Sequence, residues 1–433
     1  MLELTQRIIA QRWSSMVYTK HREPKAMSDA NSNAGERQTT QEMMTDGLLS
    51  APSAYPIFDP SSPEGIIGGE ALFISSLKCK NGVGRKHSTQ AYILNLIENT
   101  VKLTVDLRNG KYKEGALREV IITYPKYRIA LSIIFRDRVF QRSLNDNALY
   151  PAMVRTFIYF NFACQKGKGT DCALLCMKAM MHRAYLKYGS SNFYILSCDI
   201  EGYYDNMVHA VTDEMFKNAL DPWTFSWVKR TLDRQYKGEK GYNPGSQMVQ
   251  IAGISYLNGM DHYIKEVLRV KLYVRYMDDF HIIASSVEEL MEIRSNVETY
   301  LQTIGLHLHP KKTAVHSAKE GFVFLGFWFH MADSGKVLMF RNPKRVKEVK
   351  RRLRRLTNKI IRGEICTPKD LDISYECVRA CIAKGNSKKL MRAMDLHYLT
   401  LFWEIQYAHS KSIPLLEYKQ SKMPQDKEYA VAA

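Results

Sequence analysis

Apolar and β-branched residues crowd both halves of LYVRYMDDFHIIA, Leu272 to Ala284, and give way only at Met277, Asp278 and Asp279. That pattern predicts a β-hairpin with the three residues at its tip. A helix follows, because Ser286 and Glu289 are spaced as a capping box and Leu290, Val297, Leu301 and Ile304 keep one face apolar until Gly305 ends it. Upstream, Phe193 to Cys198 in FYILSCDIEGYYDN reads as a short strand that runs directly into Asp199. Downstream, GFVFLGFWFH reads as a further strand-like run. From Arg341 to Ile360 the period changes: Val346, Val349, Leu353, Leu356 and Ile360, spaced 3, 4, 3 and 4, predict one long helix with a buried seam.

The N-terminal part is patterned differently. Residues 27–65 are rich in Ser, Asn, Ala, Pro and Gly with little periodicity, which predicts a linker or poorly ordered extension, with the folded body starting near Gly65. Between about 66 and 190, helix-like stretches alternate with basic turns such as CKNGVGRKHS, LRNGKYKEG, YPKYRIA and QKGKGTD. No internal repeat is visible.

Charge adds a partner class. Against 44 acidic residues stand 62 Lys and Arg, a net +18, which favours a polyanion and nucleic acid first. The other faces of the long helix carry Lys344, Arg345, Lys347, Lys350, Arg351, Arg352, Arg354, Arg355 and Lys359 against Glu348 alone. Such one-signed charge repels itself unless a phosphate backbone offsets it, so Lys344, Lys347, Arg351, Arg354 and Arg355 are the expected nucleic-acid contacts. No run is apolar enough to span a membrane, and the charged start MLELTQRIIAQRW lacks a signal peptide's apolar stretch, so the chain reads as cytoplasmic with no membrane partner. The eight cysteines are too few for a disulfide scaffold. Cys172 with Cys176 and Cys377 with Cys381 are spaced as reduced thiols on helices, and the histidines, including His307 and His309, show no zinc-ligand spacing.

Adjacent aspartates at a hairpin tip repel each other, and a solvated turn would explain a lone pair. Here Asp199 ends a separate strand, and side-by-side pairing would bring all three carboxylates to one sheet edge. Hard oxygen donors grouped this way suit Mg²⁺, and two such ions serve nucleotidyl transfer.

At this point the chain resembles the reverse transcriptases. YMDD at 276–279 resembles the family's motif C and DIEGYYD at 199–205 its motif A, and the resemblance runs from roughly 66 to 408. It implies an α+β right-hand polymerase: an N-terminal extension over 1–65, fingers and antiparallel-sheet palm over 66–335, a basic helical thumb over 336–408, and a tail over 409–433. It implies RNA-directed addition of dNTPs, with Asp199, Asp278 and Asp279 holding two Mg²⁺ ions, or Mn²⁺ in their place. Tyr204 stands where the family has the aromatic gate against a ribose 2′-hydroxyl. Lys126 and Arg128 in YPKYRIA resemble the fingers residues that grip the triphosphate, and Lys312 in HPKKTA, beside Lys311, resembles the lysine that neutralises pyrophosphate. FLG at 324–326 resembles the primer-grip turn.

Motif B departs from the common form. NPGSQMVQ keeps Gly245, Gln247 and Gln250 as in bacterial retroelement enzymes, with Gly245 and Gln247 expected beside the dNTP. Pro244 precedes Gly245, and Val249 replaces the usual Ser, which predicts lost polar contact with the templating pair. The segment ISYECVRACIAKGNSKKLMRAM resembles the thumb ending of stand-alone bacterial enzymes near the diversity-generating and abortive-infection lineages. That kinship implies a structured non-coding RNA as template or scaffold, a DNA product or primer, and a bacterial setting in defence against phage. A second protein or another copy of the chain stays open as partner. The rival readings are a group II intron-like or retron-like enzyme, an RNA-dependent RNA polymerase, and a non-catalytic RNA-binding scaffold.

Overall fold

The computed structural model describes residues 59–411 apart from 124–126, 236–237, 244 and 365. The N-terminal extension to residue 58 and the tail from 412 therefore lie outside the described residues, as do Lys126 and Pro244. Among the described residues the first helix begins at Pro63, capped by Ser62.

Nine strands form three antiparallel sheets among the described residues. β1 (Arg118–Ile122) and β2 (Arg128–Ser132) make an isolated hairpin whose apolar side chains Val120, Ile121, Ile122 and Ile129 stay exposed. The central sheet has the order β4-β5-β3-β6, with β3 at Tyr194–Cys198, β4 at Tyr273–Tyr276, β5 at Asp279–Ala284 and β6 at Ala314–Ser317. Its strands alternate between two cores, as a period of two requires. Leu196, Cys198, Tyr273, Phe280 and Ile282 face a helical core that includes Val249, Ile254 and Leu301. Ile195, Val274 and Ile283 face the other way, onto the Thr170–Tyr188 helix and the third sheet.

That third sheet corrects one expectation. GFVFLGFWFH is two strands, β7 (Phe322–Phe324) and β8 (Phe327–Met331), joined by a tight turn at Leu325 and Gly326. Both turn residues have positive φ, 46° and 79°, the geometry of a type I′ hairpin. β9 (Val337–Arg341) then pairs with β8, so the ladder crosses the expected boundary between 335 and 336.

The hairpin at 272–284 is present, with a narrower tip than expected: Tyr276 pairs with Asp279, leaving Met277 and Asp278 as the turn. The helix after it spans Val287–Thr303, and Ser286 caps it by accepting from the Glu289 N–H at 3.2 Å. The reciprocal half of the box differs, since Glu289 accepts from Ser285 instead.

The basic helix spans Pro343–Ile361, with Asn342 accepting from the Lys344 N–H and Gly363, at φ 69°, closing its end. Its expected seam is the one that packs: Leu353 and Ile360 are buried, and Val346, Val349 and Leu356 lie against the same cluster. The partners are two further helices, Pro368–Ala383 and Lys388–Lys411, which contribute Leu371, Tyr375, Met394 and Leu401. Cys172, Cys176, Cys377 and Cys381 are free thiols on helices, as expected. Among the described residues no helix is long and apolar enough to cross a membrane.

Candidate active site at the edge of the central sheet

The register of the central sheet assembles the acidic residues. Cys198 pairs with Phe280, and continuing that antiparallel register by one residue sets Asp199 opposite Asp279. Asp278 stands beside them in the turn. Residues 307–309 dock on the exit of β3: the His309 N–H donates to the Asp199 carbonyl at 2.7 Å and the Glu201 N–H to His307 at 3.0 Å. The loop then returns Lys312, whose Nζ meets Asp199 Oδ2 at 2.5 Å. So the four residues expected to be catalytic, Asp199, Asp278, Asp279 and Lys312, converge.

Electrostatics show how tightly. Burial pushes the Asp278 carboxyl above the usual carboxylate range, and the charges of Asp199 and Asp279 add to the effect while Lys312 opposes it. Crowded anionic oxygens of this kind are a donor set that fits a hard divalent cation. Among the described residues no group of three or more His, Cys, Asp or Glu side chains is arranged to hold a metal ion. Two of the carboxylates have other neighbours here: Lys312 holds Asp199, and Asp279 Oδ1 lies 3.2 Å from His281 Nε2.

The turn that carries Asp278 has a bulky residue in a costly conformation. Met277 has φ 60°, a region that favours glycine. Arg275 supports it. This side chain is fully buried, donates from Nη1 to the Met277 carbonyl at 2.9 Å and from Nη2 to the Ile254 carbonyl at 3.1 Å, and grips Asp261 with Nε and Nη2 at 2.7 and 2.5 Å. Tyr273 adds its hydroxyl to Asp261 at 2.6 Å.

The expected nucleotide-contacting residues are partly gathered around this edge. Gly245, at φ 150°, is so close to β2 that a Cβ would meet the Leu131 carbonyl at 3.4 Å, which joins the motif B segment to the strand that Arg128 opens. Ser246 caps the Gln247–Tyr256 helix by accepting from the Val249 N–H. Val249 itself is fully buried in the helical core, so the structure does not give it the polar-contact position expected beside a template. Tyr204 sits half-buried, with its hydroxyl 3.9 Å from Met277 Sδ and its ring against Gly253, where a Cβ would approach within 2.9 Å. Tyr204 thus touches both the Gln247–Tyr256 helix and the aspartate turn.

On the basic helix, Lys344, Lys347, Arg351 and Arg355 are exposed, whereas Arg354 is turned inward to an ion pair with Glu404 of the last helix. Sequence reasoning missed Arg275, Asp261 and His281. The available signal was a polar residue inside each apolar run, Arg275 in LYVRY and His281 in FHIIA.

With the geometry in place, comparison with known proteins decides the family of the central region. Residues 118–329 match the family described as reverse transcriptase (RNA-dependent DNA polymerase). This region is a reverse transcriptase domain. It contains Asp199, Tyr204, Gly245, Asp278, Asp279 and Lys312, and its family is a nucleotidyltransferase family, RNA-directed DNA polymerase. The fold is accordingly the α+β right-hand polymerase class, with the central sheet β3 to β6 and the β1–β2 hairpin inside the matched residues and the basic three-helix unit beyond them. No curated protein matches the sequence. Among solved structures, telomerase from Candida albicans in complex with a fragment of telomeric RNA is similar at TM-score 0.44 and 13% identity, covering 68% of this chain and 55% of that one. Apo telomerase from Candida tropicalis, truncated of its C-terminal domain, gives 0.41 and 11%, covering 54% and 55%. The chain thus spans about 55% of the length of either.

Proposed function

We propose that the chain is an RNA-directed DNA polymerase that adds dNTPs to a primer hydroxyl at the Asp199, Asp278 and Asp279 edge of the palm. The observation that carries this reading is the sheet register that sets Asp199 opposite Asp279 with Lys312 on Asp199, within a reverse transcriptase domain. The three carboxylates would hold two divalent cations, Mg²⁺ by their hard oxygen chemistry, with Mn²⁺ able to substitute. Bound there, such cations lower the pKa of the attacking hydroxyl and neutralise charge on the phosphates. Lys312 offers a mobile cation at the same edge for the departing pyrophosphate. Tyr204 would close the pocket against a ribose 2′-hydroxyl, and Arg128 and Gly245 are proposed to contact the nucleotide, a reading supported by the approach of Gly245 to the strand that Arg128 opens. Lys126 belongs to the same proposed grip. Gln247, at the first turn of the motif B helix, is proposed beside it.

The exposed cations Lys344, Lys347, Arg351 and Arg355 would track the backbone of an RNA–DNA duplex. The placement among stand-alone bacterial enzymes, with a structured non-coding RNA as template and a role in defence against phage, is supported by the sequence resemblance of motif B and the thumb ending.

The test is extension of a labelled DNA primer on an RNA template by the full chain with dNTPs and Mg²⁺. Extension by the native protein and its loss, by at least about 100-fold, in Asp278→Ala/Asp279→Ala supports the reading. Equal extension by both proteins, or none by the native protein on any template with its own co-purifying RNA included, overturns it.

A further inference from the structure

His281 lies on the strand that begins with Asp279, two residues on and on the same face, and is 1% exposed. Burying an imidazole that deeply costs free energy unless both nitrogens find partners. Nδ1 is 3.0 Å from Ser197 Oγ, directly across the β3–β5 ladder where Ser197 and His281 are paired. Nε2 is 3.2 Å from Asp279 Oδ1, yet is oriented too obliquely for a formed hydrogen bond and has no other partner. The ring plane is fixed from the third sheet, with Phe324 edge-on at 4.6 Å and Phe322 at 5.1 Å between centroids. Among the described residues the acceptor in reach of Nε2 is the Asp279 carboxylate, which can only accept, so the tautomer that suits the site carries its hydrogen on Nε2 and leaves Nδ1 to accept from the Ser197 hydroxyl.

We propose that His281 is a positioning residue for Asp279: a buried N–H, held in place by Ser197 and Phe324, that sets the carboxylate's rotamer and leaves its second oxygen free for a divalent cation. The inference rests on the reading of Asp279 as a metal ligand. It also gives the β7–β8 hairpin a direct route to the catalytic edge, because the ring that touches Asp279 is the ring that Phe324 packs against.

The experiment measures Mn²⁺ binding to the full-length protein without nucleotide, from the free-ion electron paramagnetic resonance signal, beside the half-saturating Mg²⁺ concentration for primer extension. His281→Phe keeps the bulk and removes the donor; His281→Gln keeps a donor at a similar reach. Loss of an outer-shell partner typically costs 10- to 100-fold in metal affinity. The expected result is about 10-fold weaker Mn²⁺ binding and a raised Mg²⁺ requirement in His281→Phe, with His281→Gln close to the native protein. Ser197→Ala, a smaller change should His281→Phe not fold, is expected to weaken Mn²⁺ binding about threefold, a milder loss because it frees the ring without removing the donor. Native affinity in a folded His281→Phe protein, or equal loss in the Phe and Gln variants, overturns the proposal, the latter by showing that packing alone matters. Asp279→Asn separates the two levels: if it leaves Mn²⁺ binding unchanged, or the native protein binds none, the metal reading fails and takes His281's role with it.

Discussion

Arg275 Nη1 donates to the carbonyl of Met277 at 2.9 Å, so the tip that presents Asp278 hangs from a guanidinium with no solvent exposure. A buried cation at this place needs an anion, and Asp261, equally buried, supplies it through two of the guanidinium's nitrogens. The pair is a structural bracket for a strained turn: the positive φ of Met277 costs on the order of 1–3 kcal/mol, and the bond to its carbonyl holds that conformation.

Breaking the bracket from one side leaves a buried charge unpaired. Arg275→Met is expected to lower unfolding free energy by about 3–5 kcal/mol, read as a shift of the urea midpoint at constant slope. Arg275→Met/Asp261→Leu recovers much of that stability but not primer extension, because the apolar pair still lacks a donor for Met277. Full recovery of extension in the double variant would show that the turn holds itself.

Gly253 allows Tyr204 its position. A Cβ there would sit 2.9 Å from the Tyr204 hydroxyl and 3.1 Å from its Cε1, so Gly253→Ala must displace the ring. Its expected effect is a change in dNTP-over-rNTP preference measured by single-nucleotide incorporation, with Tyr204→Ala shifting the same ratio toward rNTP by at least about 10-fold. An unchanged ratio in Tyr204→Ala would count against the gate and for a polymerase that selects its sugar elsewhere.

Leu325 occupies the first central position of a two-residue type I′ hairpin, a place that favours Asn. Leu325→Asn makes the turn Asn-Gly and is expected to raise stability by about 1 kcal/mol, seen as a melting temperature higher by a few degrees. If extension from a primer falls at the same time, the native leucine is retained for contact rather than for the fold.

These residues also mark what the sequence could and could not disclose. The aspartate hairpin, the strand before Asp199 and the seam of the basic helix were legible because each is carried by a local period, two in the strands and 3.6 in the helix. The split of GFVFLGFWFH was legible only through the resemblance of FLG to a turn, since apolar residues fill both faces of the hairpin and leave no local period to mark it. Val249 looked like a lost polar contact when set against relatives, whereas its position in the helix that Ser246 caps points it into the core. Arg275 with Asp261, and His281 with Ser197, are pairs made by tertiary contact, 14 and 84 residues apart, so the polar residue inside each apolar run marks one member without naming its partner.

On the basic helix, neighbouring arginines have different neighbours. Arg351 and Arg355 are exposed on the helix face opposite Leu353, while Arg354 reaches back to Glu404 across the bundle. Replacing Lys344, Arg351 and Arg355 together by Ala is therefore expected to weaken binding to an RNA–DNA duplex at low salt and to reduce the slope of log affinity against log salt by about 0.7–0.9 per contact removed, with the melting temperature unchanged. Arg354→Ala should do the reverse: it leaves the salt slope within error and lowers the stability of the three-helix unit, because Glu404 loses a partner in a half-buried setting. Filter binding of one duplex across a salt series, beside thermal melts of the same proteins, separates the two. Should the triple variant keep the native slope, the basic face serves something other than phosphate, and any duplex that binds must run along a different surface.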